Sequence, residues 1–125
     1  MAITHSTAQR NALADSVVDA IDGGSANPNG QLVIMTSGDV EVATLECANP
    51  AFGDAAGGVA TANAISDDTN ATGGEAALFK FVNRDGTEVF RGTVATSGAD
   101  LNLSSTTIGA SDTVSVSNFT YTASV

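Results

Sequence analysis

The chain has 125 residues and a mass of 12.4 kDa, enough for one domain (1–125) and too few for a catalytic domain beside a separate recognition domain. Fourteen acids against four bases give a formal charge of −10, and Arg10, Lys80, Arg84 and Arg91 are too few and too scattered to make the basic patch that nucleic-acid binding needs. The opening Met1-Ala2-Ile3-Thr4-His5 lacks the basic and apolar regions of a secretory signal, and no run approaches the roughly 18 apolar residues of a membrane span. Neither nucleic acid nor membrane is therefore expected as a partner, and synthesis in the cytoplasm is.

In chain order, the first predicted element is a helix over 6–22. Leu13, Ala14, Val17, Val18 and Ile21 recur at helical spacing, with Asp15 and Asp19 on the other side. Ser6 and Gln9 form a capping box, Thr7 offers a competing cap, and Gly23-Gly24 ends the run with residues that tolerate positive φ. A helix with one narrow apolar stripe gains most of its stability by packing on something, here its own sheet or a neighbouring subunit. Ser25 to Gly30 reads as a loop by turn chemistry.

From residue 31 the period changes to two. Strands are predicted over 31–37, 41–48, 58–66, 76–83, 87–96, 100–104 and 113–122, an antiparallel β-sandwich over 31–125, jelly-roll-like or immunoglobulin-like. The clearest hairpin joins Ala76–Val82 to Thr87–Val94 through Asn83-Arg84-Asp85-Gly86, with Gly86 as the left-handed residue and Phe79, Phe81, Phe90 and Val94 on the core face. In the last strand Val114 and Val116 fall on one face and Phe119 and Tyr121 on the other. A bulge near Ser117-Asn118 would bring both sets inward; without it, one aromatic pair faces solvent or a partner. Val-Ala-Thr recurs at Val42, Val59 and Val94, but unequal spacing makes it strand vocabulary, not a repeat. Area scaling gives a folded surface of about 6,100 Å² against about 18,000 Å² unfolded, so the fold does not need disulfides.

Cys47 alternates onto the face of Leu45, where a thiol behaves as a small apolar side chain. One His and one Cys cannot make the usual zinc site, and no cofactor is expected. Gly23-Gly24, Gly57-Gly58 and Gly73-Gly74 are isolated pairs without a phosphate-binding pattern. Asp67-Asp68 with Asn70 offers oxygen ligands of the calcium type, but the spacing is not that of an EF-hand loop. Few aromatics and no Trp weigh against a sugar-stacking module unless Phe119 and Tyr121 are exposed. No catalytic or metal-ligating residue is nominated, and the expectation is a non-enzymatic protein that works through its surface.

The runs Asn49-Pro50-Ala51-Phe52-Gly53-Asp54-Ala55-Ala56-Gly57-Gly58 through Ile65, and Gly92-Thr93-Val94-Ala95-Thr96-Ser97-Gly98-Ala99-Asp100-Leu101-Asn102-Leu103, resemble a group of small tailed-bacteriophage and prophage virion structural proteins. Leu13-Ala14-Asp15 through Ile21-Asp22-Gly23-Gly24 is similar to theirs as well, so the resemblance covers most of the chain, on strand-and-turn patterns and not catalytic signatures. It implies a capsid decoration or cement protein on the outer surface of the virion head, a homo-oligomer whose partner is the major capsid protein. The alternative is a tail or baseplate attachment module that reads a host surface ligand with loops at one end of the sandwich. For partner contact the candidates are Ala2, Ile3, Thr4 and His5, read as an arm ahead of the helix, and Arg10, the one Lys or Arg in the first 79 positions.

Overall fold

The computed structural model of the chain describes residues 3–123. Helix α1 (Thr7–Asp19) begins where the sequence marks it: Ser6 has extended backbone, and its Oγ accepts the N–H of Gln9 at 3.3 Å. That is one half of the capping box. The helix tightens into a 3-10 turn, Ala20–Asp22, and stops as Gly23 becomes extended. Ala14, Val18 and Ile21 are buried, Val17 is half-buried and Leu13 is exposed. The apolar stripe is thus narrower than the spacing predicted. Gly30 explains how closely the helix end sits: a Cβ there would stand 2.6 Å from Ile21 O and 2.8 Å from Val82 O.

Among the described residues nine strands follow: β1 (Gln31–Met35), β2 (Glu41–Glu46), β3 (Val59–Thr61), β4 (Gly74–Glu75), β5 (Leu78–Val82), β6 (Glu88–Ala95), β7 (Leu101–Asn102), β8 (Thr107–Ile108) and β9 (Thr120–Thr122). Five of them form one sheet in the order β2-β1-β5-β6-β7, while β3 pairs β9 and β4 pairs β8 in two-stranded ribbons. All pairings are antiparallel except β6 with β7. The architecture is therefore mainly β, an antiparallel-rich sandwich with one N-terminal helix.

The parallel contact is two residues long, Val94 with Leu101 and Ala95 with Asn102. Its link is far shorter than the dozen or so residues of an ordinary crossover. Asp100 fastens it, its Oδ2 accepting the N–H of Thr93 at 3.0 Å and the hydroxyl of Thr93 at 3.1 Å.

The predicted hairpin forms in register, Phe81 opposite Phe90 and Phe79 opposite Gly92, with Gly86 at φ 83° in its turn. Phe79, Phe81 and Val94 are buried as expected, and Phe90 is half-buried. Rings from outside the sheet complete the core. Phe119 meets Phe79 at 5.3 Å and Phe81 at 5.0 Å between centroids, and Phe52 meets Phe81 at 5.6 Å. Most of these pairs are edge-on or tilted, the arrangement the ring quadrupole prefers. Leu32, Ile34, Leu45 and Ile21 fill in around them, each such side chain contributing about 1.5–3 kcal/mol by leaving water. The accessible surface of 6453 Å² is close to the value that chain mass alone gives.

Two strand predictions need correction. The segment 58–66 is a strand over β3 alone, and 113–122 is a strand over β9 alone. In the second, Val114 makes an isolated bridge with Asp68, exchanging N–H and carbonyl bonds of 3.0 and 2.7 Å, and regular structure resumes at Thr120. That interruption does the work assigned to a bulge: Val114, Val116 and Phe119 are all buried and Tyr121 is half-buried. Among the described residues no helix is long and apolar enough to cross a membrane.

Candidate functional site

The sequence nominated an arm and one arginine. Ile3, Thr4 and His5 lie exposed ahead of the cap residue Ser6, Ile3 at 82%; Ala2 lies outside the described residues. Arg10 does not share that exposure. It is half-buried, its guanidinium lies where a Cβ on Gly58 would be (2.8 Å), and its Nε is enclosed without a hydrogen-bond partner among the described residues. Gly58 makes room for it at φ +80°, a conformation that costs glycine little. The arm and Arg10 are therefore different kinds of feature, one presented to solvent and the other packed beneath.

Carboxylates explain much of the loop structure. From the helix side, Asp15 Oδ1 accepts the N–H of Ala55 (2.8 Å), Asp22 Oδ1 that of Ala51 (2.9 Å), and Asn11 Oδ1 that of Gly58 (2.7 Å). The sequence had placed Asp15 on the solvent side; instead it stitches the helix to the loop before β3. Asp85 Oδ1 accepts the N–H groups of Ser25 and Ala26, both at 2.9 Å, and these bonds, with the nearby Arg84, hold its carboxyl below the usual range. Asp68, weighed in the sequence as an oxygen ligand of the calcium type, accepts the N–H of Thr44 through Oδ2 and of Asn70 through Oδ1, both at 2.9 Å. Among the described residues no group of three or more His, Cys, Asp or Glu is disposed to hold a metal.

Cys47 is buried, and burial, with Asp22 and Glu46 adding repulsion, pushes its thiol up to about 12. A thiol held protonated is a weak nucleophile, in keeping with the packing role read from its strand position. Asp19 is raised by partial desolvation and then by the negative charges of Asp15 and Asp22 on its own segment and Asp54 on the loop before β3.

A feature that sequence reasoning did not assemble is a cleft of about 300 Å³ lined by Phe79, Phe90, Arg91, Asp100, Phe119, Thr120, Tyr121 and Thr122. It lies where the five-stranded sheet and the β3–β9 ribbon face each other without pairing. Phe90 and Tyr121 meet across it at 5.1 Å between ring centroids. Arg91 at its rim is bridged to Glu88 (2.7 Å) and to Asp39 (3.1 Å). The one sequence signal for this site was the offset of Phe119 and Tyr121 from Val114 and Val116.

Compared with protein-family models, with curated proteins and with solved structures, the chain matches none.

Proposed function

We propose that the chain is a bacteriophage virion structural protein, a decoration or cement protein that binds the outer surface of the head through the major capsid protein and stabilises capsomer contacts. The observation that carries this reading is the exposed Ile3 on a segment leading into a fixed, capped helix. Docking that side chain on a partner would remove its apolar surface from water, while loops elsewhere on the domain are tied down by carboxylates. Such a scaffold presents an arm without itself reorganising, which keeps the entropic cost of docking to the arm.

Decoration suits weak contacts repeated on a lattice. Each copy, or each symmetric homo-oligomer, gains avidity from neighbouring sites and stabilises the assembled state because it binds that state and not the dissociated subunits. The reading assigns the chain no cofactor and no enzymatic step. High negative charge keeps the free copies apart before assembly.

The test is addition of purified protein to undecorated heads. Binding, with a higher head disruption temperature, is expected for the intact chain and is lost when residues 2–5 are removed. Gold label on tail tips instead of head facets would replace this reading with the attachment module.

A further inference from the structure

Of the strands that flank the 300 Å³ cleft, β9 has one edge that no strand covers among the described residues, and the outer edge of β6 is covered by β7 only at Val94 and Ala95. In β9, the N–H of Ala62 donates to Phe119 O and the N–H of Ala123 to Gly58 O, both at 2.8 Å. Residues 119, 121 and 123 thus turn their backbone groups toward β3, and by alternation Thr120 and Thr122 turn theirs the other way. In β6, the N–H of Val94 donates to Ala77 O at 2.9 Å, so Phe90, Gly92 and Val94 bond toward β5 while Arg91 and Thr93 face outward. β7 reaches only Val94 and Ala95, and the outward N–H of Thr93 is taken by Asp100. Arg91 is left with its backbone donor and acceptor directed at the cleft side.

Two open strand edges over an aromatic floor are a template for a further strand. We propose that this cleft is a binding site for an extended peptide segment of a basic partner, which enters between β6 and β9 and hydrogen-bonds to Arg91 on one side and to Thr120 and Thr122 on the other. Every second side chain of such a segment points down onto the half-buried Phe90 and Tyr121, beneath which Phe79 and Phe119 are buried, so apolar residues alternate with polar ones. Asp100, held on Thr93, marks one end. The volume, at the lower limit of about 300–1,000 Å³ for ligand pockets, takes a short stretch of chain and not a domain.

Charge selects the partner. At the rim the Arg91 guanidinium already answers Glu88 and Asp39, and Asp100 makes no ion pair among the described residues. The whole chain carries −10, so a second copy is repelled and a segment flanked by Lys or Arg is drawn in. The inference goes beyond the head-surface reading and does not depend on where on a particle the chain sits.

The experiment titrates the intact protein with a capped heptapeptide pool, Lys-Φ-Thr-Φ-Thr-Φ-Lys with Φ drawn from Val, Ile, Leu and Phe, and follows backbone amides by NMR. Shifts and slowed hydrogen exchange are expected at Arg91, Thr120 and Thr122. Methylation of the Φ backbone nitrogens is expected to weaken binding at least about tenfold, since ~1.4 kcal/mol of lost backbone bonding is tenfold in affinity. Thr122→Pro should do the same, because it removes an N–H that β3 does not use; its unchanged amide spectrum away from the cleft would show that the fold is intact. A pool with Glu in place of Lys should bind at least about tenfold more weakly at low salt.

The proposal is overturned if the Lys pool gives no shifts at about 1 mM, or gives them elsewhere. Equal binding of the methylated pool or of the Glu pool also overturns it. So does occupation of the same residues by neutral hexose oligomers or by a second copy in place of the peptide.

Discussion

The sheet and the loops around it are ordered by different forces. In β1 and β5, order comes from burial: Leu32, Ile34, Phe79 and Phe81 are each shielded almost completely and sit on matched ladders. In the loops 23–30, 49–58 and 67–72, order comes from carboxylates that accept backbone N–H groups, through Asp85, Asp22, Asp15 and Asp68. A strongly acidic composition is usually read as a solvated skin. Here a substantial part of it is structural, because a short carboxylate bonds an unpaired loop N–H more strongly than a neutral acceptor would. The two regions should accordingly fail under different insults.

Removing burial gives the largest effect. Phe79→Ala is expected to lower unfolding stability by about 3–5 kcal/mol, because Phe79 touches Phe81, Phe90 and Phe119 at ring distances of 5.3 to 6.3 Å. Urea unfolding should show sheet and loops lost together; a drop below about 1 kcal/mol would contradict the assignment of Phe79 to the centre of the core.

Overfilling the seam where the regions meet comes next. Gly30→Ala is expected to cost about 1–3 kcal/mol, since its Cβ would meet backbone oxygens of Ile21 and Val82 that cannot move aside as a side chain can. Gly86→Ala is the control, with a left-handed φ of +83° but open space around it; its cost is the conformational one of about 1–2 kcal/mol. Melting temperatures of the two variants, compared at equal buffer composition, distinguish crowding from backbone strain.

How much of this was legible in the sequence follows the same division. The capped helix and the β5–β6 hairpin were readable because each is specified locally, by Ser6 and a 3.6 period in one case and by a two-residue period around Gly86 in the other. The 113–122 strand was overextended because alternation tells which way side chains face, not whether a partner strand exists. Val114 is bridged to one residue of a loop, and ladder pairing resumes only where Phe119 O accepts the N–H of Ala62. β4 and β8 were missed because Gly73-Gly74 reads as a breaker and each pairs for two residues only. Of the contact candidates, the exposure of Ile3, Thr4 and His5 could be read from their place before the cap, whereas the packing of Arg10 required Gly58, 48 positions away. The cleft was invisible for the same reason: Phe79, Asp100 and Tyr121 converge through tertiary structure with no spacing to announce it.

Cutting a single carboxylate tie should be smaller and local. Asp22→Ala leaves the N–H of Ala51, part-buried, without its acceptor, at an expected cost of about 1–2 kcal/mol. Hydrogen exchange should quicken at Ala51 and its neighbours while the amides of Phe79 and Phe81 keep their protection. Equal acceleration at both places would mean that the helix-to-loop bond supports the whole fold.

Acid should separate the regions with the least perturbation. Asp85 is held below its ordinary value of 3.8 by the N–H groups of Ser25 and Ala26, Glu75 below 4.5 by the hydroxyls of Thr106 and Thr107, and Glu88 below 4.5 by Arg91. A carboxyl that is more acidic folded than unfolded binds fewer protons in the native state, so its contribution is complete above those ordinary values and disappears as pH falls through the lower folded ones. Asp19 has the opposite sign: raised by desolvation and by Asp15, Asp22 and Asp54, it relaxes as it takes up a proton. The helix side therefore gains slightly while the 23–30 loop loses its clamp. Exchange protection followed from pH 7 downward should vanish at Ser25 and Ala26, below roughly pH 4, before it changes at Phe79 and Phe81. Asp85→Asn should reproduce at pH 7 part of the loosening at Ser25 and Ala26, since it keeps an acceptor but removes the charge. If both sets of amides lose protection at one pH, loop and sheet are a single cooperative unit and the carboxylates are incidental to loop order.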